Sequence, residues 1–204
     1  VLAATHHARR GLSLYPTGFG EPRELEFPQL DRALWAGFHP DGAHLFVVGG
    51  AGNGPPALWL ASLAGGPPRS LWSEPMEFDR FAGLPISPDG ERLVVGRSGG
   101  EQVQFSWRTG DHEPLRGLVP GDRIVSYDDT GRLLYVSSGR PFERTIDRLE
   151  VATGERTPWR RPRLQDARGV VYVTGPVVAA NGSRYGYSVL RIISNLVLVE
   201  GLAA

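Results

Sequence analysis

Apolar residues fall along this chain in runs of four to seven, rich in Val, Leu, Ile and aromatics. Gly and Pro interrupt nearly every window of a dozen residues, so the i, i+3, i+4 spacing of an amphipathic helix has no room to develop. Short apolar runs bounded by turn residues read as strands, and the pattern predicts an all-β fold. Two of the runs, 45–48 and 93–95, follow the same tripeptide, Pro-Asp-Gly at 40–42 and 88–90.

Superposed on one another, the segments show a repeat. "FHPDGAHLFVVGG" (38–50) leads into "ALWLASLAGGPPRSLW" (57–72), and "ISPDGERLVVGRSGG" (86–100) into "QVQFSWRTGDHEPLRGL" (102–118). "YDDTGRLLYVSSGR" (127–140) leads into "IDRLEVATGERTPW" (146–159), and "VAANGSRYGYSV" (178–189) into "NLVLVEGL" (195–202). "GLSLYPTGFGEPRELEF" (11–27) matches only the second half of a unit, with Leu12 and Leu14 falling on Leu58 and Leu60. The turn glycines Gly42, Gly90, Gly131 and Gly182 recur at roughly 40–50 residues, the spacing of propeller blades.

Each unit carries four strand signals. The first ends at Phe38, Ile86, Tyr127 or Val178. The second (45–48, 93–95, 133–136, 185–187) is apolar on both faces and must be covered on both, as a blade sandwiched between neighbours would be. The third alternates through Leu58/Leu60, Val103/Phe105 and Leu149/Val151. The fourth (69–72, 113–118, 156–159) is short and more polar, which suits an outer edge. The expectation is a β-propeller of four-stranded antiparallel blades in a single domain, a piece of a larger propeller. Blades are expected over about 31–75, 76–120 and 121–162, with a partial blade at 1–30 and a final one at 163–204. Residues 24–27 could close a ring as the missing outer strand of the final blade; otherwise the ends are open edges.

Asp41-Gly42, Asp89-Gly90 and Asn181-Gly182 supply the positive φ that a two-residue hairpin turn needs. Thr130-Gly131 is a weaker version, in which Asp128 and Asp129 are expected to act as local acceptors. These turn residues are assigned a structural role.

Composition narrows the partners. The 22 basic residues, all Arg, balance 22 acidic ones, so no positive surplus points to nucleic acid or an anionic membrane. Cysteine is absent, which removes disulfides and thiolate sites. No apolar run approaches the 18 or so residues that would insert this chain directly into a membrane. The start at Val1, without Met, fits a fragment of something longer.

Candidate chemistry is sparse. "GRSGG" (96–100) has the spacing of a nucleophile elbow, but Ser98 lies in a hairpin loop followed by a strand, where the elbow needs a helix. His6, His7, His39, His44 and His112 form no metal-ligand spacing. "WRRPR" (159–163) is basic and aromatic, yet Glu155 and Asp166 flank it, and a solvated inter-blade connection accounts for it. "GGAGNGPP" (49–56) matches no phosphate-binding fingerprint, and the sequon at Asn181 is a hairpin turn. No catalytic residue, metal or cofactor is assigned. Of the five tryptophans, Trp59 and Trp107 fall on different sides of the third-strand alternation, and either could anchor a partner from a propeller face.

The Pro-Asp-Gly teeth, with Leu-x-apolar and Gly-x-Pro-Arg further along each unit, resemble the WD-repeat-like β-propeller repeats of TolB and its relatives. The tail "GPVVAANGSRYGYSVLRIISNLVLVEGL" (175–202) resembles the C-terminal propeller region of bacterial serine/threonine protein kinases. The Trp-Asp dipeptide of true WD repeats is missing, and only two of four teeth keep the full Pro-Asp-Gly. The resemblance implies a non-catalytic sensor or scaffold module of a membrane-anchored kinase, on the periplasmic or extracytoplasmic side, binding a protein, peptide or small molecule. Two alternatives stay open: the propeller of a prolyl-oligopeptidase-type hydrolase, and a periplasmic TolB-like partner protein.

Overall fold

The computed structural model of the chain describes residues 2–5 (backbone), 11–50, 54–72, 74–79, 83–140, 143–164 and 166–194. Among them there is no helix, only strands and turns. The first sheet orders β1 (Leu2–Thr5), β2 (Gly11–Tyr15) and β3 (Arg23–Glu26). The first four-stranded meander follows, with β4 (Arg32–Phe38), β5 (His44–Gly50), β6 (Ala57–Ser62) and β7 (Arg69–Trp72). The second meander has β8 (Met76–Glu77), β9 (Arg92–Arg97), β10 (Gln102–Ser106) and β11 (His112–Pro114). The third has β12 (Arg123–Tyr127), β13 (Leu133–Arg140), β14 (Glu143–Glu150) and β15 (Arg156–Arg160). In the last blade β16 (Val170–Val173) and β17 (Val177–Val178) run out, and β18 (Tyr185–Gly186) and β19 (Val189–Arg191) run back. There β16 pairs with β19 and β17 with β18, all antiparallel.

Period-2 alternation stacks these sheets face to face. On β5, Leu45 and Val47 pack with Leu12, Leu14 and Phe27 of the first sheet and its exit loop. Phe46 and Val48 point the other way, against Leu93, Val95 and Phe105 of the second meander. On β9 the pattern repeats, with Val94 facing Ile124, Leu134, Val136 and Leu149 of the third meander. A strand buried on both faces gains burial twice, and each fully buried aliphatic side chain contributes about 1.5–3 kcal/mol.

The structure departs from expectation at several places. Residues 24–27 do not join the last blade: β3 pairs with β2, with Leu25 opposite Leu12, as the outer strand of the first sheet. The inner strand of the second meander is broken. Met76 and Glu77 pair with Arg97 and Gly96, Ile86 makes one isolated bridge to Leu93, and Gly83, at φ 71°, cannot continue an extended strand. The outer strand expected at 113–118 is His112–Pro114, because Gly117 turns away at φ 78°. Val151, expected on a third strand, lies in the turn beyond β14.

In the last blade Gly175-Pro176 splits one hairpin into two short ladders, since proline has no N–H to donate. The Thr174 N–H donates to Ser188 O (3.0 Å) and the Ser188 N–H to Thr174 Oγ1 (2.8 Å), bridging the gap. The strand expected at 195–202 lies outside the described residues, as do His6 and His7.

Candidate functional site

The hairpin turns between the first two strands of each blade share one construction. The Gly42 N–H donates to His39 O (3.1 Å), closing a turn over Pro40 and Asp41. Asp41 Oδ1 accepts from the N–H groups of Ala43 (2.8 Å) and His44 (3.1 Å). Its Oδ2 lies 2.7 Å from His44 Nδ1, and the Asp41 N–H donates to His39 Nδ1 (3.1 Å). Burial alone would push the Asp41 carboxyl up. Hydrogen bonds from the Ala43 N–H and from the side chain and N–H of His44 outweigh it and hold the carboxyl well below the usual range.

Asp89 repeats the device, accepting from the Ser87 hydroxyl (2.5 Å) and the Glu91 N–H (3.0 Å), which together lower its pKa. Asn181 Oδ1 accepts from the Ser183 N–H (3.0 Å). Only the glycines have positive φ: 69° at Gly42, 75° at Gly90, 71° at Gly131 and 66° at Gly182. The loops are therefore not two-residue turns with both central residues left-handed. The carboxylate or amide, accepting from the residue two positions on, keeps Asp or Asn at negative φ and leaves the left-handed step to glycine.

In the third blade the column of Asp41 and Asp89 is the residue directly before Gly131. Thr130 takes that column: its Oγ1 accepts from the Arg132 N–H (3.3 Å) and donates to Asp128 Oδ2 (2.6 Å). Asp128 Oδ1 accepts from the Leu133 N–H (2.9 Å). Asp129 occupies the proline column, and its N–H donates to Ala180 O of the next blade (3.0 Å). The turns of successive blades thus lie side by side. A Cβ at Gly90 would sit 2.5 Å from His39 Nε2 and 2.8 Å from Pro40 Cδ of the preceding turn.

Trp59 and Trp107 do not stand free on a face. Trp59 is half-buried on β6 against the core shared with the first sheet. Trp107 is half-buried too: its Nε1–H donates to Gly90 O (2.8 Å), and its ring meets His39 edge-on with centroids 5.5 Å apart. The Arg108 and Arg69 guanidiniums lie over it at 4.5 and 5.6 Å. It pins one blade's turn to the previous blade. Ser98 is exposed in the turn between β9 and β10, with no helix after it. His112 is exposed, its ring against Trp72. No group of three or more metal-ligating side chains comes together among the described residues.

Among the described residues, clefts open between blades. One, of about 670 Å³, separates the second and third meanders at the turn end, where Arg92, Arg116, Arg132, Asp89, Glu113 and Glu150 line it. Gln104 on its wall accepts from Arg92 (2.6 Å) and donates to Tyr127 Oη of the facing sheet (2.9 Å). Burial pushes the Tyr127 hydroxyl up, partly offset by that hydrogen bond. A second cleft, about 320 Å³, lies along the inner strands of the same two blades, beside an Arg123–Asp79 ion pair (3.2 Å). A third, about 240 Å³, lies between the third and last blades.

Sequence reasoning passed over Arg123, Arg144, Arg148 and Gln104. On "ERTIDRLE" (143–150) the signal was present: Arg144 and Arg148 share a strand face with Ile146, a residue wholly buried.

No family model matches the chain, and no curated protein does. Solved structures do match. A putative TolB from Agrobacterium tumefaciens aligns over 93% of this chain and 77% of its own, with a TM-score of 0.64 and 18% identity. TolB from Acinetobacter baumannii aligns over 93% of this chain and 50% of its own, with a TM-score of 0.65 and 18% identity. A prolyl endopeptidase structure aligns over 80% of this chain and 27% of its own, with a TM-score of 0.53 and 13% identity. The chain thus spans about three quarters of one TolB structure, half of the other and about a quarter of the peptidase. Likeness at this identity speaks for the fold alone, and it does not choose between TolB-like and peptidase contexts. Together with the stacked four-stranded sheets, it makes this chain an all-β propeller, similar in fold to the two TolB structures.

Proposed function

We propose that this propeller is a non-catalytic binding module that holds a protein or peptide segment between its blades. The observation that carries the reading is the groove of about 670 Å³ between the second and third meanders. Its walls are turns fixed by Asp89, Thr130 and Asp128, and charges of both signs project into it. Rigid walls lower the ordering cost of binding, and mixed charge favours selectivity and rapid encounter over raw affinity.

The test is a peptide-display selection against the folded chain. Enriched peptides should bind saturably and lose at least about tenfold in affinity on Arg116→Glu, a reversal of one charge in the groove. Selection that enriches nothing with saturable binding overturns the reading.

The finer placement, in a membrane-anchored bacterial serine/threonine kinase, rests on the tail sequence 175–202 alone. It requires a kinase catalytic loop and one apolar helix of about 20 residues upstream in the same gene. A coding region without them removes that placement and leaves the binding module.

A further inference from the structure

Where the third and last blades face each other, buried polar groups are left without partners. Arg144 lines the small cavity there with Val173, Thr174 and Tyr187, and its Nε–H is buried with no acceptor among the described residues. Its only hydrogen bond among them is a long one, 3.5 Å from Nη1 to Ser137 Oγ. Ser137 and Ser126 line the adjoining cleft of about 240 Å³ with Arg123 and Pro176, and Ser126 Oγ is likewise buried without a partner. Arg123 spends its charge on Asp79 and Arg156 on Asp122 and Asp147, whereas Arg144 has no carboxylate within ion-pair distance among the described residues. Burial, and then the positive charge of Arg123, holds the Arg144 guanidinium below its ordinary pKa, the direction expected of a cation lacking its counter-charge.

Orphaned donors around a cleft call for an oxyanion. We propose that this cleft receives the carboxylate of a glutamate or aspartate side chain on a polypeptide partner, with Arg144 as the principal cation and Ser126 and Arg123 as further donors. The cleft of about 240 Å³ has room for one acidic residue and its flanking peptide groups, and Arg144, which lines the small cavity beside it, reaches its wall at Ser137. The polypeptide source rests on the binding-module reading above; a free phosphate would offer similar oxygens without the chain.

The test follows the Arg144 Nε–H signal in nitrogen–proton correlation spectra of the full chain, assigned by its loss in Arg144→Gln. The probes are acetylated, amidated Gly-Glu-Gly, its Gly-Gln-Gly counterpart and inorganic phosphate at matched ionic strength. The glutamyl peptide is expected to shift the Arg144 signal saturably and the glutaminyl peptide to leave it in place. Backbone shifts around the cleft should report affinity at least about tenfold weaker for Arg144→Gln, with Arg144→Lys between, since lysine keeps the charge but not the fork. Unchanged melting temperatures confirm that both variants fold. The proposal is overturned by the absence of saturation with the glutamyl peptide, by equal shifts from both peptides, or by tighter binding of phosphate. If it fails while display-selected peptides still bind the larger groove, the binding-module reading stands and only this site is lost.

Discussion

Gly42 and Gly90 hold the same place in successive turns with nearly the same φ, yet they answer to different constraints. Around Gly42 there is open space, so only its φ of 69° disfavours a side chain. At Gly90 the preceding turn presses in, with His39 Nε2 2.5 Å from a would-be Cβ. Gly42→Ala should therefore cost about 1–2 kcal/mol, the left-handed penalty alone. Gly90→Ala should cost about 1–3 kcal/mol more, from overpacking against His39 and Pro40. Urea melts of the two variants check this, and equal losses would show that the turns are not packed on one another. The Asp41 carboxylate, held low by its hydrogen bonds, makes a second residue-scale prediction. A depressed folded pKa contributes stability that is complete above the unfolded value, near 3.8, and is lost as pH falls below it. Stability should fall from about pH 4 downward with a shallower slope in Asp41→Asn, read from denaturation midpoints across the acid range. Much of this scale was legible in sequence, since Asp-Gly and Asn-Gly mark the turns. In the third blade Thr130 and Asp128 divide between them the acceptor work that a single aspartate does in the first two.

Between elements, the two-faced apolar strands were legible for the same physical reason that they are buried. A run such as "LFVV" (45–48) has no polar face to offer water, so two neighbouring sheets must cover it. The polar contacts across blades were not legible. Gln104 on β10 reads as the polar half of an alternating strand, and only the facing Tyr127 makes it a buried partner. This pair yields a prediction at the scale of two packed sheets. Tyr127→Phe removes the acceptor of the Gln104 Nε2–H inside the interface and should cost about 1–3 kcal/mol. Adding Gln104→Leu, which removes the stranded amide, should recover much of that loss. A double-mutant cycle in urea measures the coupling, and strict additivity would mean that the two side chains act independently. Breaks in the ladders were equally hidden. Pro85 and Pro176 were visible, but that the chain leaves the ladder beside each depends on tertiary packing, as where Trp35 lies 2.5 Å from a would-be Cβ at Gly83.

At the scale of the molecule, each sheet owes its burial to its immediate neighbours, as in other repeat architectures. The first meander is covered on both faces, by the first sheet and by the second meander. Among the described residues, the last blade is covered on one. Its Tyr185 ring packs against Trp159 of the third meander, at 5.9 Å between centroids. Tyr172 and Leu190, opposite each other across β16 and β19, are 44% and 57% exposed, and Val177 is 68% exposed. Its ladders are also short, two or three paired positions each. A unit with one covered face and few cross-strand bonds should open before the rest of the chain. Native-state hydrogen exchange in low denaturant tests this on the intact protein. Amides of β5, β6, β9 and β10 should exchange only through global unfolding. Those of β16 to β19 should exchange through a smaller opening, at lower free energy and with weaker denaturant dependence. If the two sets merge at one free energy and one slope, the last blade is bound into the same cooperative unit, and its exposed face is compensated by the contacts of Trp159, Tyr135 and Tyr185. The separated outcome would make the cleft beside Arg144 the site where a ligand, by joining the last two blades, raises the stability of the more weakly held one.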